Sequence, residues 1–165
     1  MEVLLSKHTY GLSLFLLMLL LMTPCMSQTF DREVPAPGSA VQQTDNTIKK
    51  IESDPFFQQF RADLEQRNVE LTSPDISRIA WLSAAPGIGY SVGRYWMNIH
   101  LYPDAASAQE NADEIPANAA AVTASWVAPP HFFLCDRIIA LYLGSDEAVI
   151  TALTELCGPR FSGLN

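Results

Sequence analysis

Residues 132–143, FFLCDRIIALYL, form a near-continuous apolar run interrupted only by Asp136 and Arg137. A run without polar alternation suits a central strand covered on both faces. Gly144-Ser145 turns the chain after it. Ser145 or Asp146 caps a last helix reaching Leu156, with Val149, Ala152, Leu153 and Leu156 on its inner face. Gly158-Pro159 stops that helix, because glycine accepts a left-handed turn and proline cannot extend the hydrogen-bond ladder.

Working outward, residues 122–127 read as a strand broken by Pro129-Pro130. Asp104 caps a helix over residues 105–115, and Pro116 stops it. The stretch 90–102 reads as one long strand. Tyr95, Met97, Ile99 and Leu101 share one face, which is core; Arg94, Trp96, Asn98, His100 and Tyr102 share the other, which is amphipathic and aromatic. Residues 76–83 read as a strand, and the turn signal 84–87 (AAPG) separates the two. Upstream, Asp54-Pro55 opens a helix whose apolar face is Phe57, Phe60 and Leu64, ending near Arg67-Asn68; residues 46–53 can add a turn before it.

The order after the first helix is strand, strand, helix, twice over. The expected fold is α+β: a mostly antiparallel, four-stranded sheet made of two strand-strand-helix units, plus an N-terminal helix. Residues 99–112 and 141–153 share a pattern of strand end, acidic turn and alanine-containing helix, as in a loose internal repeat.

The first 27 residues have a different character. Lys7 precedes seventeen uncharged residues, 10–26, YGLSLFLLMLLLMTPCM. This is the pattern of an export signal or N-terminal anchor. Three outcomes fit: cleavage after Ser27, lipidation of Cys25, or retention as an anchor. Pro24 stands where a lipidation motif has a small residue. As a helix, the run would span about 26 Å against a hydrocarbon core of roughly 30 Å. Residues 28–47, rich in Pro, Gly, Ser and Gln, read as a flexible linker, which leaves 48–165 as a single domain. The expected location is exported: periplasmic, extracellular or membrane-tethered, touching membrane only through the N-terminal segment.

The chain has 165 residues and a net charge of -8, with no Lys or Arg between Tyr95 and Asp136. Such a surface repels phosphate, so nucleic acid is not an expected partner. Outside the first 27 residues there are two histidines, His100 and His131, and two cysteines, Cys135 and Cys157. None of the HExxH, CxxC, GxSxG, P-loop or GxGxxG motifs is present, and no metal, cofactor or catalytic residue is expected. The aromatic face of Trp96, His100 and Tyr102 is either covered by the N-terminal helix or a loop, or open to a ligand or partner. His131, with Trp126 near it in sequence, is either a satisfied strand-end residue or a polar contact in a binding loop.

The C-terminal third also resembles small exported bacterial proteins, often lipoproteins. The resemblance is carried by Trp126, Pro130, His131, Phe132, Tyr142, Gly144, Gly158, Pro159, Phe161 and Gly163. It implies location. The function read from the residues is a non-catalytic envelope or secreted domain that binds an envelope protein or small ligand, or is structural. The alternative is a small secreted enzyme or enzyme inhibitor. In an oxidising envelope Cys135 and Cys157 make an even pair and are expected to form a disulfide; otherwise they serve as small buried hydrophobes. Read as one strand and a returning helix, their separations mismatch by roughly 9 Å.

Overall fold

The computed structural model describes residues 37–119 and 126–163. The expected export signal, Cys25, linker residues 28–36 and strand residues 122–125 lie outside the described residues. Of the remaining linker stretch, residues 37–47 begin a helix, α1 (Pro37–Glu52). Ile48 and Ile51, three residues apart, anchor it in the core, and Lys49 and Lys50 stand at its C-terminal end, where the helix dipole favours cations. Helix α2 (Pro55–Gln66) follows. The Asp54 carboxylate accepts from the N–H groups of Phe56 and Phe57 at 2.9 and 3.3 Å, a cap worth about 1 kcal/mol.

The remaining elements are β1 (Thr72–Ile76), a 3-10 turn (Ala80–Leu82), β2 (Gly87–Val92), β3 (Tyr95–Leu101), α3 (Ala105–Glu114), β4 (Pro130–Cys135), β5 (Ile138–Leu143), α4 (Glu147–Cys157) and β6 (Ser162–Gly163). The α+β class and antiparallel pairing are as expected, but the sheet has six strands rather than four, in the order β1-β2-β3-β5-β4-β6. The four inner strands come from two of the expected strands, each folded as a hairpin, and β1 and β6 are the edges. Residues 77–83, expected as strand, hold the 3-10 turn instead; β1 lies just before them. Trp126 and Val127 are in no strand.

The two stretches expected as single long strands are hairpins. Residues 90–102 fold at Gly93-Arg94, with Val92 opposite Tyr95. Gly93 has a φ of 58°, which glycine supplies without steric cost at the first position of a two-residue hairpin turn. Residues 132–143 fold at Asp136-Arg137, with Cys135 opposite Ile138. Asp136 takes the positive φ there, 55°. The two charged residues that interrupt the apolar run are therefore its turn.

Both sheet faces are covered. On one, Phe57, Phe60 and Leu64 of α2 and Val149, Ala152 and Leu153 of α4 pack on Ile88, Tyr90, Met97, Ile99, Phe133, Ala140 and Tyr142. On the other, Ala108 and Ala112 of α3, with Leu82 of the 3-10 turn, pack on Phe132, Ile139, Leu141 and Leu143. The two hairpin-helix units thus place their helices on opposite faces. A two-fold axis normal to the sheet between the antiparallel β3 and β5 would put both on one face, so the repeat does not extend to the helices.

Arg137, in the second turn, fastens the layers. Its guanidinium bonds both Asp54 carboxylate oxygens and donates to the carbonyls of Tyr102 and Pro103 at 3.3 and 3.2 Å. It also lies 5.4 Å from the Phe56 ring centre. Its hydrogen bond holds the Asp54 carboxyl below the usual carboxylate range against the opposing effect of burial.

Cys135 and Cys157 stand at disulfide distance, with Cα atoms 4.5 Å apart. The hairpin removes the length mismatch. Strand β5 alone spans about 17 Å and α4 returns about 15 Å, which brings Cys157 back to the turn beside Cys135.

Candidate functional site

The structure separates the sequence-expected site residues. Trp96 is 43% exposed, at the open end of its face. His100 and Tyr102 are core residues at 1% and 2% exposure, so the expected aromatic face is not one open surface. Its cover is the 3-10 turn and α3; the Phe-bearing helix lies on the opposite face. The Tyr102 hydroxyl donates to Asn111 Oδ1, whose amide donates to the Trp81 carbonyl at 3.1 Å. Burial, with Glu114 nearby, pushes the Tyr102 phenol up to about 12. Trp126 is half-buried edge-on to Trp81 and Phe132, at 5.9 and 6.2 Å. His131 faces the other way, stacked on Tyr142. It is therefore no companion of Trp126, and it lies across the sheet from His100.

His131 belongs to a cleft of about 580 Å³ lined by Pro129, Ser145, Glu147, Ile150, Pro159 and Arg160, among others. Its position follows from β4, where it pairs with Tyr142. Arg160 reaches it on the short segment between α4 and β6. The Arg160 guanidinium has only hydrogens to offer, so it donates to His131 Nδ1, at 2.8 Å. The other ring nitrogen, Nε2, then carries the proton and donates to the Gly144 carbonyl at 3.0 Å. This ring is neutral. Burial lowers its pKa, and the Arg160 charge adds to that; the Gly144 carbonyl and Glu147 oppose it. Among the described residues, Arg160 has no carboxylate partner and makes no other side-chain hydrogen bond. The cleft therefore contains a half-buried cation with unused donors, beside an apolar wall.

His100 lines a second cleft, of about 470 Å³, together with Gln43 and Thr47 of α1, Ser77, Arg78 and Gly87. The hairpin register sets Gly87 opposite His100. His100 Nδ1 lies 3.0 Å from the Ala85 carbonyl, and Nε2 lies 2.7 Å from Ser77 Oγ. The carbonyl can only accept, so Nδ1 carries the proton and Nε2 accepts from the Ser77 hydroxyl. Burial keeps this imidazole neutral, against the Ala85 carbonyl, which favours the charged form.

Sequence reading missed Arg160, Ser77 and Gly87. A usable signal existed for one of them: with a two-residue turn placed at Gly93-Arg94, counting back along both strands sets Gly87 opposite His100. Among the described residues no group of three or more His, Cys, Asp or Glu is placed to hold a metal ion. Compared with known proteins, the chain matches no family model, no curated protein and no solved structure.

Proposed function

We propose that this chain is an exported cell-envelope domain whose work is binding, and that the His131–Arg160 cleft takes a ligand bearing a carboxylate on a short apolar body. The observation that carries this reading is the half-buried Arg160 guanidinium, held by His131 and without an acidic partner among the described residues. A guanidinium is suited to bidentate carboxylate recognition. Pro129, Ile150 and Pro159 supply apolar contact, and Glu147 favours a ligand with a donor group beside its carboxylate. The cleft is read as a recognition site without proton transfer, because the accepting nitrogen of His131 faces the Arg160 guanidinium, which gives up no proton, and not a hydroxyl. Export is supported by the apolar run at 10–26, by the cysteine pair at disulfide distance and by the resemblance to small exported proteins. The ligand is a free small molecule or the end of an envelope protein.

Calorimetric titration with N-acetylleucine and with its amide tests the reading. The acid binds and the amide does not, and Arg160→Gln weakens the acid by at least about tenfold, the loss expected of a charge-assisted hydrogen bond. Equal binding of acid and amide, or no change in R160Q, overturns it. The second reading, a small exported enzyme, has one observation in its favour: the contact between Ser77 and His100.

A further inference from the structure

We propose that Ser77 is an activated nucleophile and that the second cleft performs acyl transfer on small carboxylic esters. The inference does not rest on the Arg160 reading: His100 and His131 lie on opposite faces of the sheet, and the two clefts share no residue.

The geometry is that of a nucleophile, a base and a group that orients the base. Ser77 Oγ lies 2.7 Å from His100 Nε2. The Ala85 carbonyl accepts from Nδ1 and fixes the tautomer in which Nε2 is the free base. A backbone carbonyl here fills the orienting role that a carboxylate fills in the commoner triad. The ring is wedged against Gly87, where a Cβ would stand 2.6 Å from Nε2, so its orientation is locked by packing. Ser77 is held in turn by its own N–H, which donates to the Gly87 carbonyl at 3.0 Å. Both side chains line the cleft, and Ser77 is only partly buried.

The site also has a place for developing negative charge. Among the described residues the backbone N–H of Arg78, directly after the nucleophile, has no acceptor, and the Arg78 side chain has no acidic partner. The residue after a catalytic serine commonly supplies one oxyanion donor. The cleft lining is mixed, with Gln43, Thr47 and Ser83 beside Arg78 and with Ile76, Ile79 and Pro86 as its apolar part, and its volume of about 470 Å³ suits a short acyl group.

The chemistry balances without any co-reactant but water. Ser77 Oγ bonds to the acyl carbon while its proton passes to His100 Nε2. The tetrahedral adduct expels the alcohol, which leaves with that proton. Water then attacks the acyl-serine ester and gives a proton to Nε2. That proton returns to Ser77 Oγ as the carboxylic acid departs. The net reaction is ester plus water to acid plus alcohol.

The test is covalent labelling of the full chain, held in a mild detergent, with a small alkyl fluorophosphonate. Peptide mapping by mass spectrometry then locates the adduct. The proposal expects the label on Ser77, its loss in Ser77→Ala, and a labelling rate at least about a hundredfold lower in His100→Gln, the range of a positioned general base. Hydrolysis of p-nitrophenyl acetate should show a burst that S77A abolishes. Absence of label from Ser77 in the folded wild-type chain overturns the proposal, whether another serine reacts or none does. Because that result is read on the wild type, it does not depend on any variant folding.

Discussion

The His100 ring lies directly on Gly87: a Cβ added at position 87 would stand 2.6 Å from both Cε1 and Nε2 of the imidazole. His100 is 1% exposed and bonded at both nitrogens, so it has no free rotamer to retreat into. Gly87→Ala should therefore destabilise the domain by about 2 kcal/mol, the usual cost of overpacking a core. Gly93→Ala meets no neighbour within 4 Å, and should cost only the roughly 1 kcal/mol of a non-glycine residue at positive φ. Urea denaturation of the two variants gives the comparison, and equal losses would show that His100 yields easily.

Both described histidines are held neutral, chiefly by burial. In the unfolded chain they bind protons near pH 6.5, whereas in the folded chain they do so only at lower pH. The unfolded state thus holds more protons below pH 6.5. Stability is at its full value above that pH and falls as pH drops toward the folded pKa values, by at most about 1.4 kcal/mol per pH unit for each histidine. Relief of the net charge of -8 acts in the opposite direction. The histidine contribution is read by difference: from pH 7.5 to 5.5 the denaturation midpoint of the wild type should lose ground relative to that of His131→Asn, which shares the same background charge. Parallel curves would contradict it.

How much of this was legible in the sequence depended on whether a signal was local. The starts of α2, α3 and α4 were, because Asp54, Asp104 and Asp146 each cap with their own side chain, and Pro55 and Gly158 mark a first turn and a last; the start of α1 at Pro37, within a stretch that reads as linker, was not. The hairpins were not. With both sheet faces covered, the strands lose polar alternation, and each turn occupies only two residues, Gly93-Arg94 and Asp136-Arg137. The period of two rightly set Trp96 and His100 on one face, but it could not say that the 3-10 turn would cover one and leave the other open. Arg160 was beyond local reading altogether: it stands 29 residues from His131 and reaches it only because β6 pairs with β4.

Removing Arg137 should loosen the joint between α2 and the sheet. Arg137→Ala leaves the Asp54 carboxylate, side chain 23% exposed, without its cation and leaves the carbonyls of Tyr102 and Pro103 without that donor. The expected loss is about 2 kcal/mol, in the range for hydrogen bonds to charged groups. Arg137→Lys should lose less, since it keeps the charge but not the paired geometry. A change below about 0.5 kcal/mol in R137A, the range of ordinary surface substitutions, would show that the pair carries no stability.

The cysteine pair closes a loop with a sequence separation of 22. Oxidised protein should resist iodoacetamide at Cys135 and Cys157 until reduced, and reduction should cost about 3 kcal/mol in denaturation experiments. Two freely alkylated thiols in protein recovered from an oxidising compartment would refute the bond.

The central claim is that the Arg160 cleft recognises a carboxylate, and amide NMR of the full chain in micelles, titrated with N-acetylleucine, tests it most directly. Saturable shifts are expected at Gly144, Ser145 and Arg160, absent with the amide analogue and absent in R160Q. Shifts confined to the Ser77–His100 cleft, or none at saturating ligand, would contradict it.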